Sequence, residues 1–395
     1  MGFRFETEEV VEGAARLLVP KLDGAEGEPL DHVRSRAAVF YNPAMRLNRD
    51  TAVLVLAAQG EALGRPPEAC EPMCGSGVRG IRLVLEAGAG RVILGDLNPS
   101  AVRLAEENAR RNHVSDRVRL RVMDANLLMN LHSSPMNRLD YVDLDPYGSP
   151  AQFLDSAVRC TRSGGVVALT ATDMAPLCGV NPAACLRKYG GRPLRASYTH
   201  EVALRLVMGS LARAAAVHEM GARPLFGYYA DHYVRSYMRL EQGAKPADAA
   251  LAEMGYILHC PMCLRRVPVK GPYLKAARTC EACGGGMVVG GPMWLGETVD
   301  VGFLDRMLVK ADSIGVAWEP RLESLLHTIR DEAGLPPTFH SLDELCSRLG
   351  MPSLPLDVVL ERLLRAGFRA SRTHFHMHGL RTDAEVSDLE NLLKA

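Results

Sequence analysis

The chain has 395 residues, too many for one ordinary core, so two or more domains are expected. Hydrophobic residues make up 47% and charged residues 23%, ordinary values for a globular protein, and the formal net charge of zero gives no general attraction to nucleic acid. No run of about 18 apolar residues occurs and the first 20 residues lack the layout of a signal peptide, so neither a membrane span nor secretion is expected and the compartment reads as cytoplasmic.

In chain order, "KLDGAEGEPL" (21–30) reads as a turn or loop, and a helix is predicted over 49–63. A strand at 91–99 is followed by a helix at 100–114 with Ser100 as its N-cap. Residues 117–128 alternate as a strand does. A strand over 139–146, a helix over 149–161 and a strand over 164–173 follow. β-α units of this length predict a parallel sheet with helices on both faces. The rhythm then changes: a long helix at 197–221, one or two strands at 224–241, and a Gly- and Pro-rich stretch holding two cysteine pairs. Short helices follow, ending in a helix that runs into a strand at 355–375.

"CGSGVRG" contains Gly75-x-Gly77-x-x-Gly80, and Asp96 closes the next strand 21 residues after Gly75. Glycines let a backbone approach a ligand, and a carboxylate at the next strand tip can accept bonds from ribose hydroxyls. That demand is shared by nucleotides and S-adenosylmethionine. Two later places choose between them. Asp124 and Ala125 end the third strand, where methyltransferases commonly contact the adenine edge. The fourth strand ends in Asp145-Pro146-Tyr147, which is similar to the acid-or-amide, proline, aromatic motif of enzymes that methylate exocyclic amino groups. A carboxylate there can accept the amine N–H and balance positive charge developing on nitrogen. The ring can stack on the base. Ser149 fits the helix N-cap better than Asp145 does, and Asp140 and Asp143 are read as structural or solvent-facing.

At this point the chain resembles the tRNA guanine-26 N2-dimethyltransferases. The stretches that carry the resemblance are "VFYNPAMRLNRD" (39–50), "GSGVRGIR" (75–82), "DLDPYGSP" (143–150), "TATDMAPLCGVNPAACLRKYG" (170–190) and "SRTHFHMHGLRTDA" (371–384). The resemblance implies that Arg49 and Arg79 contact the methionine end of the cofactor and that Phe40 is a second aromatic at the target base. Many members have Phe where this chain has Tyr147.

"CPMC" and "CEAC" place Cys260, Cys263, Cys280 and Cys283 in a C-x2-C-x16-C-x2-C pattern, the layout of a structural zinc ribbon. The other six cysteines are expected to be buried, inert thiols. Arg362, Arg365, Arg369, Arg372 and Arg381 stand against one acid, Glu361, with His374, Phe375, His376 and His378 among them. This window suits an RNA backbone read by phosphate and shape, or a solvated helix face.

The expected architecture is therefore α/β: a Rossmann-like, S-adenosylmethionine-dependent methyltransferase domain over residues 1–220, and an α+β C-terminal domain over 221–395 that binds tRNA and contains a zinc ribbon at 256–290. The expected cofactors are S-adenosylmethionine and a structural zinc ion. The expected partner is tRNA, acted on by a monomer with no membrane association. The alternatives are methylation of another base amino group, such as adenine N6, or a non-catalytic zinc-ribbon RNA-binding protein.

Overall fold

The computed structural model describes residues 3–21, 36–274 and 278–394; the turn expected at 21–30 lies, but for Lys21, outside them. The chain forms two compact units, one drawn from residues 1–146, 153–168 and 305–323, the other from 147–152, 169–304 and 324–395.

In the first unit a hairpin of β1 (Thr7–Glu12) and β2 (Ala15–Pro20) precedes α1 (Arg46–Leu63). Helix α1 is buried from Leu47 through Gln59 and stops at Gly64, whose left-handed backbone (φ 64°) a side chain would resist. Then come β3 (Glu68–Glu71), α2 (Val78–Leu85), β4 (Arg91–Asp96), α3 (Pro99–Arg111), β5 (Val118–Val122), α4 (Ala125–Asn130), β6 (Leu139–Leu144), α5 (Leu154–Cys160) and β7 (Thr161–Ala171). Most elements fall within a few residues of expectation: the helix expected at 49–63 begins at Arg46, the strand expected at 139–146 ends at Leu144, the helix expected at 149–161 begins at Leu154 and the strand expected at 164–173 spans Thr161–Ala171. The remaining differences come from capping. Asn98, not Ser100, caps α3, its side chain accepting from the Ser100 N–H at 2.9 Å, because Pro99 occupies the first turn without needing a donor. The strand expected over 91–99 accordingly ends at Asp96. The strand expected over 117–128 ends at Val122, since Asp124 accepts from the Asn126 and Leu127 N–H groups and starts a helix there.

With β8 (Met220–Ala230) and β9 (Tyr233–Gln242), the strands assemble in the order β5-β4-β3-β6-β7-β9-β8. β3 runs parallel to both β4 and β6, and β4 to β5, so Glu71, Asp96, Val122 and Leu144 end at one edge. Strand order reverses between β3 and β6. Open parallel sheets bind ligands at such a point, beyond the carboxyl ends of the strands.

The second unit contains the antiparallel pair β8 (Met220–Ala230) and β9 (Tyr233–Gln242), which resolves the 224–241 segment into two strands. A helix at Thr199–Ala216 precedes them. A three-stranded antiparallel sheet follows, with β10 (Met254–His259) between β11 (Arg266–Lys270) and β12 (Val288–Trp294). The last segment folds helices Leu342–Leu349, Leu356–Arg365 and Val386–Lys394 around Leu345, Leu363, Leu380 and Leu389. A small sheet of β13 (His340–Ser341), β14 (Ala370–Arg372) and β15 (Gly379–Thr382) accompanies them.

Candidate active site

The glycine loop joins β3 to α2. Gly75 and Gly77 have positive φ (52° and 78°). A Cβ on Gly75 would meet the Phe40 carbonyl oxygen at 2.9 Å, and one on Gly77 would meet the Ala105 Cβ at 2.8 Å. A Cβ on Gly80 would collide with Leu94 of β4, so the third glycine is there for helix–strand packing. Asn108 of α3 fastens the loop from behind, donating to the Ser76 carbonyl at 2.9 Å while also bonding Leu18 of β2. Asp96 accepts from the Gly75 N–H at 3.0 Å and from the Asn98 N–H at 2.9 Å, one bond on each oxygen. A carboxylate has about four acceptor positions, so Asp96 retains capacity for a diol. Ala125 is buried beside Asp124, which caps α4. The bare backbone at Gly75 and Gly77, with a partly used carboxylate at the next strand tip, fits the ribosyl end of S-adenosylmethionine.

At the reversal of strand order lies an unusual charge cluster. Arg79 is only 3% exposed. Its guanidinium donates to Glu71 (3.1 Å), Asp143 (3.1 Å), the Asn48 side-chain oxygen (2.7 Å) and Asp145. Three carboxylates from two strand tips thus converge on one arginine. Asp143 also accepts from the Tyr141 hydroxyl at 2.6 Å, and Glu71 from the Gly80 N–H at 3.0 Å. Burial pushes the Glu71 carboxyl up to about 8 against the pull of Arg79, and the charges of Asp143 and Asp145 add to the rise. Asp140 is fully buried and paired with Arg65 and Arg162, so both interior acids of this strand are structural and neither faces solvent.

Arg49 belongs to a second buried network. It donates to both oxygens of Glu12 (2.6 and 2.5 Å) and to the Asn42 carbonyl, with Tyr41 beneath its guanidinium. Arg82 bonds Glu12, Glu86 and Asp50. Phe40 is 36% exposed.

Tyr147, the residue after Pro146, is 68% exposed. The turn behind it is held twice by Thr172: the Gly148 N–H donates to Thr172 Oγ1 at 2.8 Å, and the Thr172 N–H to the Gly148 carbonyl at 2.9 Å. Gly148 has φ 84°, a left-handed conformation that suits glycine. Ser149 accepts from the Ala151 N–H at 3.3 Å, at the start of the helical segment that leads into α5. Next to Thr172, Asp173 accepts from the hydroxyl of buried Tyr189 and from Lys188.

A model of the N2,N2-dimethylguanosine tRNA methyltransferase family matches residues 13–394. The chain belongs to that family. Among curated relatives, tRNA (guanine(26)-N(2))-dimethyltransferases of Methanothermobacter thermautotrophicus and Methanopyrus kandleri are each 38% identical, over 97% and 98% of this chain and 98% and 97% of theirs. The solved structure of Trm1 from Pyrococcus horikoshii with S-adenosyl-L-methionine superposes with a TM-score of 0.85 at 31% identity, covering 98% of this chain and 99% of that one.

In this member of the dimethyltransferase family the four ribbon cysteines come together, with all sulfurs within 4.8 Å of one another. Cys260 lies 3.5 Å from Cys283, and Cys263 lies 3.4 Å from Cys280. Tetrahedral zinc with bonds of about 2.3 Å needs sulfurs about 3.8 Å apart, so the four residues fit that ion. Both knuckles use the same backbone device: the Leu264 N–H returns to the Cys260 carbonyl and the Gly284 N–H to the Cys280 carbonyl. Among the described residues this is the only cluster suited to a metal. The histidines at 374, 376 and 378 are not one: His374 bonds Glu332 and His378 bonds Asp343.

Four of the five C-terminal arginines of this family member pair with acids, three of them with acids from outside the 361–381 window. Arg381 is buried and pairs with Glu201 and Glu332, Arg372 pairs with Asp357, Arg369 with Asp383, and Arg365 with Glu361. Arg362 donates to the Leu392 carbonyl. Sequence inspection overlooked Glu71, Glu12, Asn48 and Thr172. Glu71 carried a readable signal, an acid closing the buried strand before the glycine loop, the same signature as Asp145. The other three carried none.

Proposed function

We infer that this protein transfers methyl groups from S-adenosylmethionine to the exocyclic N2 amino group of guanine 26 in tRNA, giving the dimethylated base. The observation that carries the reading is Asp145-Pro146-Tyr147 at the tip of β6, with Asp145 anchored on Arg79 at the reversal of strand order beside the glycine loop.

The cofactor supplies an electrophilic methyl on a sulfonium. Gly75 and Gly77 let the backbone lie against it, Asp96 accepts from its ribose hydroxyls, and Asp124 with Ala125 borders its adenine. Arg49 already binds Glu12 and Asn42 through Nε and Nη2, which leaves Nη1 for the cofactor's carboxylate. Arg79 meets that carboxylate only by sharing a guanidinium already engaged by three acids.

Asp145 accepts an N–H of the guanine amine and so aligns a nitrogen whose lone pair is delocalised into the ring. As the nitrogen gains its methyl and positive charge, the carboxylate balances that charge and takes the departing proton on an Oδ atom. Burial raises the Glu71 carboxyl, so it competes less for the Arg79 guanidinium than an ordinary carboxylate would. Pro146 fixes the backbone behind Asp145. Tyr147 stacks on the guanine, which must first leave its place in the RNA stack at a cost of a few kcal/mol. Residues 221–395, with the ribbon at 256–290 held by zinc, engage the tRNA body. The protein acts as a monomer in the cytoplasm; no helix among the described residues is long and apolar enough to cross a membrane.

Incubating unmodified tRNA with the protein and methyl-labelled cofactor, then digesting to nucleosides for mass spectrometry, tests this reading. Labelled N2,N2-dimethylguanosine is expected. Label on adenine, or none, would refute it.

A further inference from the structure

A flipped nucleotide must be held by its phosphates as well as by its base, and four of the five C-terminal arginines are occupied by carboxylates. One stretch of the second unit differs. Residues 174–200 contain no acid, and Arg187, Lys188, Arg192 and Arg195 lie within nine positions of one another. Arg187 is on the helix Pro182–Tyr189, and Arg192 and Arg195 follow it. All three arginines are exposed, and among the described residues their side chains have no ion-pair or hydrogen-bond partner. Lys188 is tied to Asp173 at 2.9 Å.

The backbone that presents these arginines is fixed. Arg192 and Gly291 exchange two backbone hydrogen bonds (2.9 and 2.8 Å). Gly190 ends the helix in a left-handed conformation (φ 62°), and Leu194 is buried. The Tyr189 carbonyl accepts from Arg213, and its hydroxyl donates to Asp173. Asp173 follows Thr172, which clamps Gly148 next to Tyr147. The Tyr189–Asp173 and Thr172–Gly148 hydrogen bonds, joined by the peptide bond between residues 172 and 173, tie the helix that carries Arg187 to the turn that carries the stacking ring. Three exposed guanidinium groups on one short acid-free stretch have no counter-charge of their own among the described residues, and a polyanion supplies it. Guanidinium groups on a rigid backbone suit phosphate oxygens, which they can bind through two parallel hydrogen bonds.

We propose that Arg187, Arg192 and Arg195 form a phosphate-binding patch for the RNA strand that carries the target guanine. The proposal rests on the tRNA methyltransferase reading and adds the place where the substrate backbone is gripped.

The test is binding of fluorescent, unmodified tRNA to the wild-type chain and to R187Q/R192Q/R195Q over a salt series, with nucleoside analysis of the wild-type product run beside it. Each lost phosphate contact lowers the slope of log affinity against log salt by about 0.7–0.9, so three lower it by about 2 to 3. Affinity near physiological salt should fall at least about tenfold, with the melting temperature and S-adenosylmethionine affinity unchanged. The charge-keeping R187K/R192K/R195K variant should recover most of the slope. Unchanged affinity and slope in the glutamine variant would overturn the patch, whatever the wild type makes. A wild type that binds tRNA through these arginines but yields no N2-methylguanosine would overturn the assigned reaction and leave the patch standing. A slope lost equally in the lysine variant would also overturn it, since a change of backbone and not of charge would then be responsible.

Discussion

Replacing Arg79 by methionine removes the guanidinium that Glu71, Asp143 and Asp145 share, while keeping an unbranched side chain. Breaking a buried ion pair from one side costs about 3–5 kcal/mol, because the remaining charge sits where water cannot solvate it. Glu71 and Asp143 are both buried as deeply as the arginine, so a loss near the upper end, about 5 kcal/mol, is expected at pH 8. That is a third or more of the stability of a typical domain, about 5–15 kcal/mol. The protein can relieve the strain only by binding protons. Burial already holds the Glu71 carboxyl at about 8 instead of 4.5. A carboxyl raised in the folded state gives stability that is complete below its unfolded value and lost as pH rises through its folded value. Without Arg79 that decline steepens, so R79M should lie nearest the wild type at pH 5 and furthest from it at pH 8. Urea unfolding of both proteins without cofactor, at pH 5, 6, 7 and 8, measures this, and R79K should restore part of the loss. A deficit that is the same at every pH would refute the reasoning. So would an unimpaired R79M whose only defect is weak S-adenosylmethionine binding, which would make Arg79 a cofactor ligand alone.

Asp145→Asn should keep fold and cofactor affinity and lower kcat about 100- to 1000-fold, since an amide positions the amine without balancing its charge; single-turnover methylation measures it, and near-normal turnover would leave the carboxylate a positioning role only. Thr172→Val removes the acceptor of the Gly148 N–H and should cost about 1 kcal/mol while lowering kcat more than it raises KM for tRNA; Thr172→Ser should restore both, and a stability loss with unchanged kcat would limit Thr172 to scaffolding. Metal analysis of protein purified without chelator should find about one zinc per chain, and Cys260→Ser with Cys263→Ser should loosen the last helices, seen by hydrogen exchange, because Leu264 of the knuckle is buried in their core; a zinc-free protein with native exchange would contradict this. Glu12 and Glu201 are held at about 2, their arginine partners outweighing burial. A depressed carboxyl contributes stability above its unfolded value near 4.5 and loses it as pH falls through 2, about 3 kcal/mol each. Unfolding measured from pH 5 to 2 should therefore show a steep decline that Glu12→Gln makes shallower, and an unaltered decline would remove Glu12 from the account.

The amino-acid sequence by itself determined the features that local chemistry imposes. Glycines at 75, 77 and 80 mark a backbone that must pass close to Phe40, Ala105 and Leu94. Two CxxC pairs at knuckle spacing can serve one tetrahedral ion, and alternating strand and helix patterns build a parallel sheet. Asp145-Pro146-Tyr147 stood out in the sequence through its similarity to the acid-or-amide, proline, aromatic motif of enzymes that methylate exocyclic amino groups. Charge partnership was not readable, because an ion pair depends on which side chains meet and carries no sequence period. The window from 361 to 381 looked basic only because Asp357, Asp383, Glu332 and Glu201 lie outside it. The family resemblance implied that Arg79 and Arg49 meet a cofactor carboxylate, and the fold surrounds each with the protein's own carboxylates. Asp140 and Asp143 could be placed inside only once Arg65, Arg162 and Arg79 arrived from distant segments to pair with them. A buried charge is tolerable only beside its opposite, so the tertiary structure alone decides which acids stay inside and which cations remain free to meet a partner.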